Sequence, residues 1–263
     1  MSTDTVHARD LTPRQTAISI AIIGVLFFIF GFVSWANAIL IPYFKIGCEL
    51  TYFEAYLVTF AFYISYLLFS LPAAHLLNRT GFKQGMMIGF WVMALGAFIF
   101  IPAAMTRTYG IFLGGLFTLG AGLAILQTAA NPYITVLGPK ETAARRISIM
   151  GICNKGAGIL APLLFAAAVF RVTDTDLFNR LATMAAGEKA VVLDELIRRV
   201  IVPYACVGTV LMVLGFLVRV SPLPEIDTEH ESEEVAEANA DKTSIWQFPH
   251  LILGAVGIFL HVG

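Results

Sequence analysis

"ISIAIIGVLFFIFGFVSWANAILIPY", Ile18 to Tyr43, runs 26 residues without an Asp, Glu, Lys or Arg. A bilayer-crossing helix needs about 20 mainly apolar residues, because hydrocarbon offers no partner to an unpaired backbone N–H or C=O. This stretch satisfies that length. Outward from it the same reading repeats near Tyr52–Leu76, Gly85–Ala104, Gly110–Leu137, Ile147–Phe170 and Val200–Val220, and a seventh apolar stretch begins near Phe248. The seventh ends at Gly263, short of a full span, so a partial chain is expected.

Composition agrees. The 263 residues are 58% hydrophobic and 13% charged, with a mean hydropathy of +0.79, against about 25% charged residues in soluble domains. The formal net charge of −1 gives no nucleic-acid footprint. "Ala36-Asn37-Ala38" offers a small-x-small cleavage pattern. The preceding apolar run is nevertheless longer than a signal h-region and further spans follow, so retention is expected. Arg9, Arg14, Arg79, Lys83, Lys140, Arg145 and Arg146 fall on one side of the spans and Lys45 and Arg107 on the other, which predicts a cytoplasmic N-terminus. Cys48, Cys153 and Cys206 are odd in number and scattered; they are expected to pack rather than to form a disulfide framework.

The organisation expected is a cytoplasmic N-terminal segment (1–16), a six-span bundle (17–220), an acidic cytoplasmic linker (221–247) and the truncated start of a seventh helix (248–263). The linker, "SPLPEIDTEHESEEVAEANADKTSIWQ", is too polar to fold alone. A six-span unit, a linker and a new span are what a two-halved transporter would give, although an acidic tail on an unrelated membrane protein fits the linker equally well. Between spans five and six, Val191, Val192, Leu196 and Ile197 recur with helical spacing among charges, predicting a short amphipathic helix at the membrane surface or a solvated loop. Gly110, Gly114, Thr118 and Gly122, every fourth residue, predict one close-packing face on span four.

Polar side chains in hydrocarbon face a bundle interior or a watery cavity. Span one supplies Ser34, Trp35 and Asn37, span four Gln127, Thr128 and Asn131, and span five Asn154 and Lys155. Gln127 and Asn131 share a face at i and i+4, and Pro132 frees a carbonyl one turn back, near Thr128. Amides that both donate and accept suit a polyhydroxylated ligand such as a sugar, with Trp35, Tyr63 and Tyr66 as apolar ring faces. The other reading of each amide is a hydrogen bond between helices, worth about 0.6–2 kcal/mol. Lys155 either meets a ligand or gates the site, or it snorkels to the interface. Dispersed histidines, with no HExxH, paired-cysteine, GxSxG or P-loop pattern, argue against an enzyme.

"AHLLNRTGFKQG", Ala74 to Gly85, resembles the GxxxDRxGxK signature of the major facilitator superfamily: Arg79, Gly81 and Lys83 match, and Asn78 stands where that signature is acidic. "QTAANPYITVLGP" (Gln127–Pro139), "WANAILIPYF" (Trp35–Phe44), "AFYISYLLFSLPA" (Ala61–Ala73) and "AARRISIMGICNK" (Ala143–Lys155) closely resemble the fucose–galactose–glucose symporter family, in particular its bacterial glucose/galactose branch. The resemblance implies an all-α membrane fold: the six-helix N-terminal half of a twelve-helix major facilitator protein plus the start of a seventh helix. It also implies that Asn78, Arg79, Gly81, Lys83 and Pro132 serve conformational change. Fucose permeases are acidic at the positions of Gln127 and Ala38, whereas the glucose/galactose branch has Gln at the first, so sugar binding is expected without proton transfer at these two places.

The expected function is therefore transport of a hexose across a bacterial inner membrane by alternating access, with Asn37, Gln127, Asn131, Asn154, Lys155 and Trp35 as sugar-binding residues. No cofactor is expected. A coupling Na⁺ or H⁺ has no site assigned, and the partners are the hexose, the lipid bilayer and a C-terminal half missing from this chain. A non-transporting sugar sensor or assembly partner is the alternative.

Overall fold

The computed structural model describes residues 5–6, 12–169, 174–181, 183–226, 244 and 247–262. It divides into two compact units, Met1–Ile226 and Asp227–Gly263. The first contains α1 (Pro13–Gly47), α2 (Tyr52–Thr106), α3 (Tyr109–Val136), a 3₁₀ turn (Lys140–Thr142), α4 (Ala143–Val169), the short α5 (Asp174–Arg180) and α6 (Ala186–Arg198), and α7 (Ile201–Val220). The two-residue strands β1 (Thr5–Val6) and β2 (Glu225–Ile226) pair in parallel. The second unit contains α8 (Pro249–Val262), whose 14 residues reach only about 21 Å.

Local chemistry starts the helices where the chain allows. Thr12 and Thr51 each cap a helix with the residue three positions on: the Gln15 and Glu54 amides donate to the threonine hydroxyls at 3.3 Å, and the side chains of Gln15 and Glu54 accept from the cap amides at 2.9 and 2.8 Å. The 55 residues of α2 would make a rod of about 80 Å, more than twice a hydrocarbon core of about 30 Å. Gly81 divides it: φ 77° and ψ 174° are open to glycine and strained for other residues. Two antiparallel limbs result, so α1, both limbs of α2, α3, α4 and α7 make six spans, each from a segment long and apolar enough to cross a bilayer.

The second limb of α2 runs antiparallel to α3, and glycines set their separation. A Cβ on Gly122 would lie 2.5 Å from the Met93 amide nitrogen, one on Gly89 2.9 Å from that of Leu126, and one on Gly96 2.6 Å from that of Leu119. This corrects the expected stripe: Gly122 belongs to the packed face, but Gly110 and Gly114 meet nothing within 4 Å, and the half-buried Thr118 turns its hydroxyl back to the Gly114 carbonyl of its own helix at 2.8 Å. The partner of Gly122 on α3 is Gly115, seven residues earlier, whose added Cβ would strike the Phe100 ring at 2.8 Å. On the other flank of that limb, α7 lies against it through Gly208 on Phe98 and Gly215 on Trp91. Cys206 is exposed on α7 rather than packed, because α7 turns Tyr204, Gly208, Leu211 and Gly215 inward instead.

At the end where α1 meets α2, an aromatic core joins four spans: Phe100 stacks on Tyr204 at 3.9 Å, and Phe44 lies 4.6 Å from Phe112. The helix predicted between spans five and six is α6, seated on this end. It buries Leu193, Leu196 and Ile197 and exposes Val191. Tyr43 donates its hydroxyl proton to the Leu196 carbonyl, and Ile197 fills the space over Gly47. Lys189 pairs with Glu49 at 2.6 Å, and Arg107 with Asp194 at 3.0 Å. The helix is thus fastened to the end of the bundle. Elsewhere the apolar surface points outward, as at Leu71 (81% exposed) and Ile152 (72%), which suits lipid or protein neighbours and not water.

Candidate functional site

The polar residues inside the spans fall into two groups. On α3, Gln127 is half-buried and Asn131 exposed, one turn apart. Tyr66, from the first limb of α2, donates its hydroxyl proton to Gln127 Oε1. This orients the amide so that its NH₂ can serve as a donor elsewhere. Tyr66 therefore acts through its hydroxyl and not as the ring face expected, while Tyr63 is exposed with its ring edge-on to Phe62 at 5.4 Å. Pro132 sits inside α3, and without an N–H it offers no helical bond to the Thr128 carbonyl. The Thr128 hydroxyl turns back to the Ala124 carbonyl at 2.7 Å.

The second group joins α1 to α4. Asn154 Nδ2 donates to the Phe27 carbonyl at 3.4 Å, and its side chain fills the space over Gly31, where a Cβ would lie 2.6 Å from Nδ2. Asn154 is thus engaged between helices. Lys155 Nζ lies 5.4 Å from the centroid of the Trp35 ring, within cation–π range. Ser34 is satisfied within its own helix by the Phe30 carbonyl at 2.8 Å. Asn37 falls within α1, but its side chain lies outside the described residues. No hydrogen bond or ring contact among the described residues links the α3 group to the α1–α4 group.

The predicted conformational residues cluster at the Gly81 end. Asn78 and Arg79 are exposed at the close of the first limb of α2, and Gly81 makes the turn. Lys83 Nζ donates to the Ser221 carbonyl at 2.6 Å, a cation at the C-terminus of α7. Tyr133, one residue past Pro132, donates to the Pro224 carbonyl at 2.9 Å. The start of the polar segment after α7 is therefore tied to α2 and α3.

In the sequence Arg146 reads only as a loop charge. It is 4% exposed and holds the end of α3: Nε donates to the Ile134 carbonyl at 2.9 Å, Nη2 to that of Thr135 at 2.7 Å, and Nη1 to the Pro139 carbonyl at 3.0 Å and the Thr142 hydroxyl at 2.6 Å. The last carbonyls of a helix lack internal partners, and a guanidinium fork can serve several. The sequence signal was a Gly138-Pro139 stop followed within a turn or two by arginine. Gly138, with φ 109°, gives the chain the reversal that brings Arg146 back.

Comparison with known proteins places this arrangement. The Major Facilitator Superfamily model matches residues 23–262, and the chain belongs to that superfamily, which comprises transporters and not enzymes. It is 36% identical over 258 residues to the glucose/galactose transporter of Brucella abortus, covering 98% of this chain and 58% of that one. To the L-fucose-proton symporter of Escherichia coli it is 29% identical over 251 residues, covering 95% and 57%. A crystal structure of the transporter FucP in the outward conformation superposes with a TM-score of 0.71 at 30% identity, over 81% of this chain and 51% of that one. The chain thus spans about half the length of the curated relatives it matches. The expected fold class holds: six membrane-spanning helices in the arrangement of one half of a major facilitator protein, followed in the chain by the 14-residue helix α8.

Proposed function

We propose that this chain forms the N-terminal half of a hexose transporter of the glucose/galactose class, working by alternating access in a bacterial inner membrane. In this reading residues 1–16 and the acidic linker 221–247 are cytoplasmic, 17–220 form the six-span half, and 248–263 begin the seventh helix. A second half, absent from this chain, supplies the facing wall of the sugar site. The observation that carries the reading is the Tyr66–Gln127 hydrogen bond between α2 and α3, with Asn131 one turn further along α3. A neutral amide fixed by a tyrosine presents a donor to a sugar hydroxyl, and a second amide on the same face extends the array.

The same chemistry limits what Gln127 does. An amide does not titrate, so any coupling H⁺ is carried by another residue, and a coupling Na⁺ likewise has no site assigned in this chain. Asn37, Asn131, Asn154 and Trp35 complete the proposed binding set, with Lys155 beside the Trp35 ring as part of the same wall. Asn78, Arg79, Gly81, Lys83 and Pro132 serve the rocking motion at the cytoplasmic end.

Gln127→Ala and Asn131→Ala in the full-length transporter are expected to lower uptake of labelled glucose or galactose while membrane insertion is retained. Parental uptake by both variants would refute the sugar site and return the two amides to interhelical bonding. The 263-residue chain alone, reconstituted in vesicles, is expected not to transport.

A further inference from the structure

Trp35 and Trp91 each lie on a glycine of a neighbouring helix, but they are fastened differently. Trp91 rests on Gly215 and donates its indole N–H to the Met212 carbonyl at 3.3 Å, a lock between α2 and α7. Trp35 rests on Gly158 of α4, where an added Cβ would come within 2.9 Å of Nε1 and 3.1 Å of both Cδ1 and Cε2. One turn earlier on α4, Lys155 holds its ammonium 5.4 Å from the centroid of the same ring. Among the described residues no carboxylate pairs with Lys155, so the indole is the partner the structure offers its charge. Trp35 is nonetheless 40% exposed. The result is a large flat ring, oriented from α4, with part of its surface open.

A ring already fixed in place loses little rotamer freedom when something stacks on it. The C–H face of a pyranose is apolar, and an indole is the largest apolar surface a side chain offers. We infer that Gly158 and Lys155 are positioning residues that seat Trp35 as a stacking platform for the sugar ring, with Lys155 acting through the indole and not by touching the sugar. This rests on the sugar-transport reading above and adds Gly158 to it.

The experiment has two arms. In this chain, in nanodiscs, with Trp35 as its single tryptophan (Trp91→Phe, Trp246→Phe), indole emission and acrylamide quenching report the seat without any sugar. In the full-length transporter, the KM and kcat of galactose uptake report the platform. Gly158→Ala and Lys155→Met are expected to red-shift the Trp35 emission, increase quenching and raise KM about three- to tenfold, with kcat little changed. Lys155→Arg should restore both readouts, because a guanidinium also binds an indole face. An unmoved emission in both variants would overturn the seat. A raised KM for Lys155→Met with unmoved emission would place Lys155 on the sugar itself, and a moved emission with parental KM would overturn the platform. Absence of uptake by the parental transporter would remove the sugar reading and the platform together, with the emission arm still deciding the seat.

Discussion

Adding one methyl group at Gly122 should separate two helices that the same methyl at Gly110 would leave untouched. At Gly122 the new Cβ would lie 2.5 Å from the Met93 amide nitrogen and 2.8 Å from the Gly89 carbonyl oxygen. Ordinary contact begins near 3.4 Å, so α3 and the second limb of α2 must move apart locally by about 0.9 Å, against backbone that cannot rotate away. Overpacking of this kind costs about 1–3 kcal/mol. At Gly110 nothing lies within 4 Å, and alanine there gains up to about 1 kcal/mol of helix propensity. Thermal unfolding in detergent micelles, followed by intrinsic fluorescence, should place Gly122→Ala below the parental protein and Gly110→Ala at or above it. Equal destabilisation by the two variants would refute the packing assigned here and restore the every-fourth-residue face read from the sequence.

Arg146→Met should destabilise by about 1–3 kcal/mol or more, because the carbonyls at the end of α3 lose their donor; the same melts check it, and a parental midpoint would refute the clamp. Gly81→Ala places a side chain at φ 77° and should cost about 1–3 kcal/mol in that assay. The Glu49 carboxyl is held below its usual value chiefly by the hydrogen bond from Lys189, which outweighs the opposing effect of burial, with further lowering by the charges of Lys189 and Arg107. A lowered native value stabilises above the unfolded carboxylate value of 4.5 and is lost as pH falls through the native one. Hydrogen exchange across Ala186–Arg198 should therefore rise, after correction for intrinsic rates, on going from about pH 5 to pH 3, and Glu49→Gln should flatten that response.

The six spans were legible because the demand that creates them is local: each backbone group in hydrocarbon must find its partner within its own helix. Even the break in α2 could be read, since Gly81 stands between two apolar runs and no single helix needs 55 residues. The helix α6 was legible as a helix, but its inward face was not. The apolar pattern read from the sequence takes in Val191 and passes over Leu193, whereas the packing against Tyr43 and Gly47 leaves Val191 exposed and buries Leu193 with Leu196 and Ile197. Cys48 illustrates the same division: the sequence reads it as a packing thiol with no partner named, whereas partial burial beneath this end pushes its pKa up to about 11.

The site divides in the same way. The sequence identified Gln127, Asn131, Asn154, Trp35 and Lys155 because polar groups are conspicuous in apolar spans. It could not say that Tyr66 reaches Gln127, that Asn154 bonds across to α1, or that Lys155 rests on Trp35, since these pairs join residues far apart in the chain. By itself, then, the sequence determined which segments cross the membrane and which side chains are too polar to face lipid. Only the tertiary structure decided which glycines are contacts and which polar groups are already engaged, because those depend on the atoms of the neighbouring helix, and no periodicity within one helix specifies them.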